Sequence, residues 1–344
     1  MIEDATPSIA NAASPPHVPA QNSADGFLDM LFGASALEDL AQYRPDSLKS
    51  LARDALARLS APRRPGRADI RLIDPAGDDP ALARVTIVEV VNDDMPFLLD
   101  STLVELAERG LELRLVAHPV LAVQRDSEGR LRRVGEAQHA PGEVRESLIH
   151  LHIGRLVDPQ RRKALTEALE RIYGDVRVAV SDWTEMRARV VAAADAYKSD
   201  PPPLPVDEVA EAIHFLEWLA ADNFTFLGLR EYRFIEAAAD AAAPGARAAL
   251  DLIGGPGFGI LRDPSVKVLR RGSELVTVTP EVLEFLREPH ALIISKANVR
   301  STVHRRAHMD YVGCKLFSKS GALQGELRIV GLFTATAYHR STQT

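Results

Sequence analysis

The stretch RVTIVEVVNDDMPFLLDSTLVELAERG, residues 84–110, decides the fold of the first half of the chain. Its first eight residues are rich in β-branched side chains and too short for a typical helix, which predicts a buried strand. Pro96 suits the first turn of a helix, and the leucines after it recur at helical spacing. Gly110 then supplies a C-terminal stop. The stretch therefore predicts a strand that runs directly into a helix.

The residues that follow predict two further strands, a second helix and a last strand. Residues 111–125 and 147–155 are predicted as strands, joined as a hairpin through a long polar loop. A helix is predicted from Pro159 to Gly174, and residues 176–180 are predicted as the last strand. The order β-α-β-β-α-β is that of a ferredoxin-like domain, with one sheet and two helices on one face. The predicted fold class is α+β.

The chain has 344 residues, of which 46% are hydrophobic and 26% are charged. This is the composition of a soluble globular protein, and no window approaches the roughly 18 apolar residues of a membrane-spanning helix. The acidic, polar first residues lack the features of a secretory signal, so the cytoplasm is the expected compartment. The single cysteine, Cys314, excludes an intrachain disulfide, and the net charge of −7 disfavours nucleic acid as a partner.

Composition and periodicity divide the chain into five segments. Residues 1–25 are predicted as a disordered leader, because they contain few large apolar groups. Residues 26–83 are predicted as a helical N-terminal segment, followed by the ferredoxin-like domain at residues 84–183. A helical connector is predicted at residues 184–222, and a second mixed α/β domain at residues 223–344.

Two places carry side chains suited to binding. The turn from the first predicted strand into the first helix, which includes Asn92 and Asp94, lies where a helix N-terminus leaves N–H groups unpaired. Helix capping is the alternative for its carboxylates. The second place is the densest set of cations in the chain, which suits a carboxylate, a phosphate or the acidic surface of a partner. An ordinary solvated or salt-bridged face is the alternative there. Its anion or interface candidates are Lys296, Arg300, His304 and Arg305.

Three other patterns do not predict a site. The glycines at residues 254–259 lack the following helix and the acidic residue of a dinucleotide-binding loop, so a plain turn is favoured. His304 and His308 lie four residues apart, but their flanks predict strand and turn rather than helix. His150 and His152 share a strand face without a third ligand in sequence reach. We therefore predict no metal site, no cofactor site and no catalytic residue in this chain.

Five blocks of sequence together resemble one enzyme family. The blocks are VEVVNDDMPFLLDS (88–101), LVAHPVLAVQRD (115–126), FLGLREY (226–232), SKANVRSTVHRRAHMDYVGCK (295–315) and GLFTATAYHR (331–340). They are similar to the N-terminal region of the large bacterial NAD-specific glutamate dehydrogenases, in which a regulatory segment of ACT-like and PAS-like modules precedes a catalytic domain. The resemblance implies that residues 84–183 form an ACT-like domain. It also implies that residues 223–344 form a second ACT-like or PAS-like domain, truncated at its C-terminus.

The resemblance also implies where an effector would bind. Residues 92–101 resemble the D-x-P-G-L turn of ACT domains, which are small-ligand regulatory modules. Phe97 stands where those domains usually have glycine. The effector-binding candidates implied by this match are Asn92, Asp94, Phe97, Leu98 and Asp100.

Intact members of the family oxidise L-glutamate to 2-oxoglutarate and ammonia with NAD. The resemblance implies that this chain is the regulatory and assembly portion, without the catalytic domain and inactive alone, so that NAD belongs to the intact enzyme. The implied partners are its own catalytic domain, other subunits of a homo-oligomer and an amino-acid effector. A stand-alone amino-acid sensor or protein-interaction module is the alternative.

Overall fold

The structure, a computed structural model, describes residues 24–136, 143–234, 250–251, 257–266 and 290–334. Contacts divide the chain into two compact units. Unit 1 comprises Met1–Asp94 and Glu112–Asp158, and unit 2 comprises Met95–Leu111 and Pro159–Thr344. Each unit has its own antiparallel sheet, which confirms the predicted α+β class. Apart from its last two residues, the predicted leader lies outside the described residues. No helix of the described part is long and apolar enough to cross a bilayer.

The part of unit 1 that the structure describes has three α-helices and a six-stranded sheet. The helices are α1 (Ala24–Phe32), α2 (Leu37–Leu40) and α3 (Pro45–Leu59), and the strands are β1 (Asp69–Ile73), β2 (Val85–Asp93), β3 (Leu113–Ala117), β4 (Val120–Arg125), β5 (Leu131–Glu136) and β6 (Val144–Gly154). The sheet order is β1-β2-β6-β4-β5, and β3 also pairs with β6. The predicted strand at residues 111–125 is thus two strands, interrupted at Pro119, which has no N–H to donate to a ladder.

The edge of the sheet beside β2 differs from the prediction. A ferredoxin-like order would place its fourth strand there, and residues 176–180 were predicted to supply it. Instead β1 pairs with β2 in antiparallel register, from Asp69 opposite Val91 to Ile73 opposite Ile87. The segment predicted as a helical N-terminal segment, residues 26–83, therefore also contributes a strand.

The core of unit 1 lies between its N-terminal helices and one face of this sheet. Apolar residues of α1 and α3, including Phe27, Leu31 and Leu59, are buried in one cluster with Ile87 of β2 and Leu148 of β6. Helical spacing on one side and strand alternation on the other place these side chains in the same layer. The amphipathic helices predicted from the sequence thus cover a sheet face.

The described residues of unit 2 form three α-helices and a second antiparallel sheet. The helices are α4 (Leu98–Glu108), α5 (Pro159–Ser199) and α6 (Val206–Trp218). The strands are β7 (Phe224–Phe234), β8 (Leu250–Asp251), β9 (Phe258–Gly259), β10 (Leu292–Arg300), β11 (His308–Phe317) and β12 (Leu323–Phe333). The sheet order is β10-β11-β12-β7-β8, and β9 also pairs with β7. As predicted, Gly110 lies just past the end of α4, with a φ of +64°.

The prediction of a helix stop at Gly174 and a strand at residues 176–180 was wrong. Both lie inside α5, which runs without interruption for 41 residues. Val176 and Ala179 are buried and continue the helical spacing of Leu169 and Ile172. The β-branched composition of residues 176–180 suggested a strand, but burial of this stripe outweighs that local preference. The predicted division between residues 183 and 184 also falls within this helix.

The core of unit 2 joins the C-terminal half of α5 and α6 to one face of the second sheet. Met186, Val190, Leu216, Val312 and Ile329 are buried there. The Tyr197 hydroxyl reaches the carbonyl oxygens of Ala291 at 3.1 Å and Lys315 at 2.9 Å. Burial raises the pKa of Tyr197 far above its ordinary value, so the hydroxyl stays protonated.

Candidate functional site

The first turn of α4 carries three of the predicted effector candidates. Leu98 begins the helix and is buried, and Asp100, two residues further on, is exposed. Phe97 occupies the N-cap with a φ of 72°, in the left-handed region that glycine favours. The glycine of the ACT turn would adopt this conformation without strain, and here a phenylalanine adopts it. The resemblance therefore singles out a position whose backbone has a positive φ, which glycine adopts more easily than phenylalanine does.

The other two effector candidates belong to unit 1. Asn92 is buried in β2 and donates from Nδ2 to the carbonyl oxygen of Asp93 at 2.8 Å. The Asp94 carboxylate lies 2.9 Å from an Arg145 guanidinium nitrogen, and the Asp94 N–H donates to the Arg145 carbonyl. These contacts hold the end of β2 against β6.

The connection between β10 and β11 contacts the first turn of α4. We call residues 301–306 the 301–306 turn. The His304 N–H donates to Ser101 Oγ at 2.9 Å, and His304 Nδ1 lies 3.1 Å from Asp100 Oδ2. The His304 and Phe97 rings have centroids 5.2 Å apart. The structure thus brings His304 of the basic set together with Phe97 and Asp100 of the effector set.

The same turn is ion-paired with the second half of α4. The Arg306 guanidinium bonds the Glu105 carboxylate and donates from Nε to Glu108 at 2.8 Å. Arg300 lies 3.6 Å from Glu108, at a more exposed position. Arg306 is 18% and Glu105 is 6% exposed, so this pair is shielded from solvent far better than a typical surface ion pair.

The remaining basic candidates bond elsewhere in unit 2. Lys296 pairs with Asp310 across β10 and β11, and Arg305 donates to the Phe333 carbonyl oxygen at 2.7 Å. Lys296, Arg300 and Arg306 therefore face carboxylates of this chain, while Arg305 and His304 use a carbonyl oxygen, a hydroxyl and Asp100. The cations that looked like an anion site in sequence do not converge on one point.

Glu105, Glu108 and Ser101 were not singled out from the sequence. They lie at helical spacing along α4, three or four residues apart, and this signal was present in the sequence. The missing information was the partner, because the contacting residues are about 200 positions away in the chain.

A second polar cluster lies inside unit 1. Glu89 of β2 is buried and is bonded by Arg58 of α3 at 2.6 and 2.8 Å and by His150 Nδ1 at 3.0 Å. Burial alone would raise the pKa of Glu89, but the hydrogen bonds from Arg58 and His150 outweigh it and lower that pKa to about 2. His150 Nε2 lies 3.2 Å from His152 Nε2. The predicted sharing of one strand face by the two histidines is correct.

The geometry fixes the tautomers of this histidine pair. The Nδ1 atom of His152 is buried without a hydrogen-bond partner. If His152 carries its proton on Nε2, it donates to His150, which in turn donates from Nδ1 to the Glu89 carboxylate. This arrangement leaves only a lone pair unsatisfied and adds no buried charge. Burial, aided by His150, lowers the pKa of His152 to about 2.

A third cluster is buried in the sheet of unit 2. Lys315 Nζ lies 2.8 Å from Glu326, with the two side chains 0% and 1% exposed. The Tyr311 hydroxyl donates to the same carboxylate, and Arg328 Nε donates to Tyr311 at 3.2 Å. Arg328 also lies over the Tyr232 ring, 4.1 Å from its centroid. A buried charge pair with this many partners holds three strands in one register.

Neither a metal nor a dinucleotide is favoured by the described residues. They contain no group of three or more His, Cys, Asp or Glu side chains that could hold a metal ion. Gly257 to Gly259 lead into a short 3₁₀ turn at Ile260–Arg262, not into an α-helix. Where strands are described, all pair antiparallel, whereas the dinucleotide-binding fold needs a mostly parallel sheet. These residues do not fit NAD.

Comparison with known proteins gives the family. Residues 27–169 match the family model described as "Glutamate dehydrogenase, ACT1 domain". The chain is 33% identical over 322 residues to an NAD-specific glutamate dehydrogenase of Halomonas elongata, and 30% identical over 319 residues to one of Pseudomonas aeruginosa. Each alignment covers 92% of this chain and 19% of the relative. A relative of the same name from Mycobacterium tuberculosis is 26% identical over 78% of this chain.

The chain therefore spans about a fifth of the length of the relatives that it matches. The match extends through both compact units rather than through one short motif. The chain is therefore similar to NAD-specific glutamate dehydrogenases over most of its own length, and residues 27–169 match their ACT1 domain.

Proposed function

We propose that this chain is the N-terminal regulatory and assembly portion of an NAD-dependent glutamate dehydrogenase. The observation that carries the proposal is the alignment over 92% of this chain and only 19% of its relatives. The family's reaction, the oxidation of L-glutamate to 2-oxoglutarate and ammonia with NAD, belongs in this proposal to the intact enzyme. The antiparallel sheets and the ACT1 match support a regulatory role for the part present here.

The effector of this proposal is an amino acid. Its candidate residues are Asn92 and Asp94 in unit 1, and Phe97, Leu98 and Asp100 in unit 2. The exposed Asp100 carboxylate suits a ligand ammonium group, and the unpaired N–H groups of a helix N-terminus suit a ligand carboxylate.

The assembly role of the proposal concerns the catalytic domain of the same enzyme and the other subunits of a cytoplasmic homo-oligomer. The region at Lys296, Arg300, His304 and Arg305 is the interface candidate. The ACT1 domain is proposed to be of the ferredoxin-like type, with β1 at the edge where a fourth strand is expected, and the second sheet to belong to an ACT-like or PAS-like domain.

Turnover by the purified chain tests the proposal. With L-glutamate and NAD supplied, we expect no NADH formation above a protein-free control. The alternative function is a stand-alone amino-acid sensor. The DNA sequence beyond codon 344 separates the two: an in-frame continuation with dehydrogenase motifs supports the regulatory portion, and unrelated sequence supports the sensor.

A further inference from the structure

The 301–306 turn joins two neighbouring strands of the second sheet, yet it is bonded to two helices. Thr302 donates to the Asp175 carboxylate of α5 at 2.7 Å, and the backbone and ring of His304 reach Ser101 and Asp100 of α4. Ser301 and Val303 are buried at 1% exposure. The contacts of the 301–306 turn with α4 extend from the first turn of that helix to its last turn.

The Ser101 hydroxyl links the 301–306 turn to the first turn of α4 through two hydrogen bonds. Ser101 Oγ accepts from the His304 N–H at 2.9 Å and donates its proton to the Phe97 carbonyl oxygen at 2.6 Å. With both contacts in place, this hydroxyl has no proton left to donate to a ligand. Its neighbour Asp100 faces His304. A ligand that needs the Ser101 hydroxyl as a donor, or the Asp100 oxygen that contacts His304, must therefore replace His304.

The closed arrangement holds two residues in an unfavourable backbone conformation. Phe97 has a φ of 72° and His304 a φ of 66°. A bulky residue in this region is strained, and such strain persists only where surrounding contacts impose it. Here the two strained residues contact each other. Opening the contact would allow Phe97 to leave its strained conformation, which favours a second, open state of the turn.

The Arg306 ion pairs supply the opposing force. The guanidinium bonds both Glu105 and Glu108 on the last two turns of α4 and also donates to the Ser301 carbonyl oxygen at 3.3 Å. Arg306 therefore bonds both to the backbone of its own turn and to two side chains of α4. Because the pair with Glu105 is mostly excluded from water, its loss would weaken the contact more than loss of an exposed pair would.

We propose that the 301–306 turn is an intrachain latch, fastened by Arg306, that masks the effector position at the first turn of α4. The latch rests on the proposed function, because it regulates the site assigned there. An amino acid that binds to Asp100 displaces His304, and the displacement is transmitted to β10 and β11, whose ends the turn connects.

Hydrogen exchange in Arg306→Gln tests the fastening. In the full chain, we expect the backbone amides of α4 to exchange about tenfold faster in this variant than in the wild type. Arg305→Gln is the matched control, because the neighbouring Arg305 bonds the Phe333 carbonyl and not α4. We expect it to leave α4 unchanged. Unchanged exchange in α6 and β7, which the turn does not contact, shows that each variant is folded. Glu108→Gln provides a milder variant with the same expected direction.

Equal α4 exchange in wild type and Arg306→Gln, or equal acceleration by Arg305→Gln, would overturn the latch. Calorimetry with the standard amino acids, added singly, tests the masking: tighter binding to Arg306→Gln than to wild type is expected. Equal affinity, or binding to neither protein, overturns the masking. The proposed function is tested by a different measurement: it would be contradicted if the chain itself formed NADH. Failure of the proposed function can therefore be distinguished from absence of the latch.

Discussion

At the scale of single residues, Phe97 has a backbone conformation that its side chain disfavours. A non-glycine residue at a φ of 72° costs about 1 kcal/mol relative to glycine. Comparing Phe97→Gly with Phe97→Ala isolates this cost, since both variants lose the ring contact with His304. We expect the glycine variant to be the more stable of the two by about 1 kcal/mol in denaturant unfolding. An alanine variant of equal or higher stability would show that the position is not strained.

His152 makes stability depend on pH in a defined direction. Burial lowers its pKa to about 2, against an ordinary value of 6.5, so the unfolded chain binds a proton there that the folded chain does not. This contribution is fully present above pH 6.5 and is lost as the pH falls towards the folded value. Its limiting slope is about 1.4 kcal/mol per pH unit.

Unfolding free energies of wild type and His152→Phe between pH 5 and pH 7 measure this effect. We expect the wild type to lose stability faster than the variant as the pH falls, because phenylalanine binds no proton. Glu89 also has a lowered pKa and loses its contribution in acid, but that loss begins below its ordinary value of 4.5, outside this window. Parallel pH profiles would contradict the assignment of a neutral, buried His152.

At the scale of secondary structure elements, two glycines have opposite roles. Gly174 lies in the interior of α5, and a Cβ added there would meet no atom within 4 Å. We expect Gly174→Ala to stabilise the protein by about 1 kcal/mol in denaturant unfolding. Gly110 ends α4 at a φ of +64°, so Gly110→Ala should destabilise it by about the same amount. Destabilisation by Gly174→Ala would mean that the helix ends at Gly174, as the sequence pattern predicts.

Elements with one unambiguous period could be predicted from the sequence. The strand at β2, the helix at α4 with its stop at Gly110, and the strand at β6 follow from local pattern alone. Residues 176–180 could not be assigned correctly from the sequence, because a valine-rich stretch of five residues can belong either to a buried helix or to a strand. Only packing of Val176 and Ala179 separates the two. The sheet edge formed by β1 depends on pairing, which local sequence does not encode.

The candidate site was predictable in its parts and not in its arrangement. The resemblance singled out Phe97 and Asp100, and charge density singled out His304 and Arg305, as two separate sets. Their proximity arises from tertiary structure across about 200 residues. Lys315 and Glu326 were overlooked because a polar residue within an apolar strand usually faces solvent, whereas here both side chains are buried against each other.

At the scale of the whole molecule, length and similarity together carry the functional account. Both units match the relatives, and the relatives are about five times longer than the matched part. The described strands pair antiparallel in each unit, and the buried ion pairs of Arg58 with Glu89 and of Lys315 with Glu326 each join residues of one unit. In the proposed function, the part of the enzyme present here is regulatory, and hydride transfer belongs to a different part of the enzyme.

The most direct test of that assignment is NADH formation by the purified 344-residue chain, with saturating L-glutamate and NAD, across a series of protein concentrations. The account predicts a rate equal to that of the protein-free control at every concentration. NADH formation that rises in proportion to the amount of chain, and stops when glutamate is omitted, would contradict it.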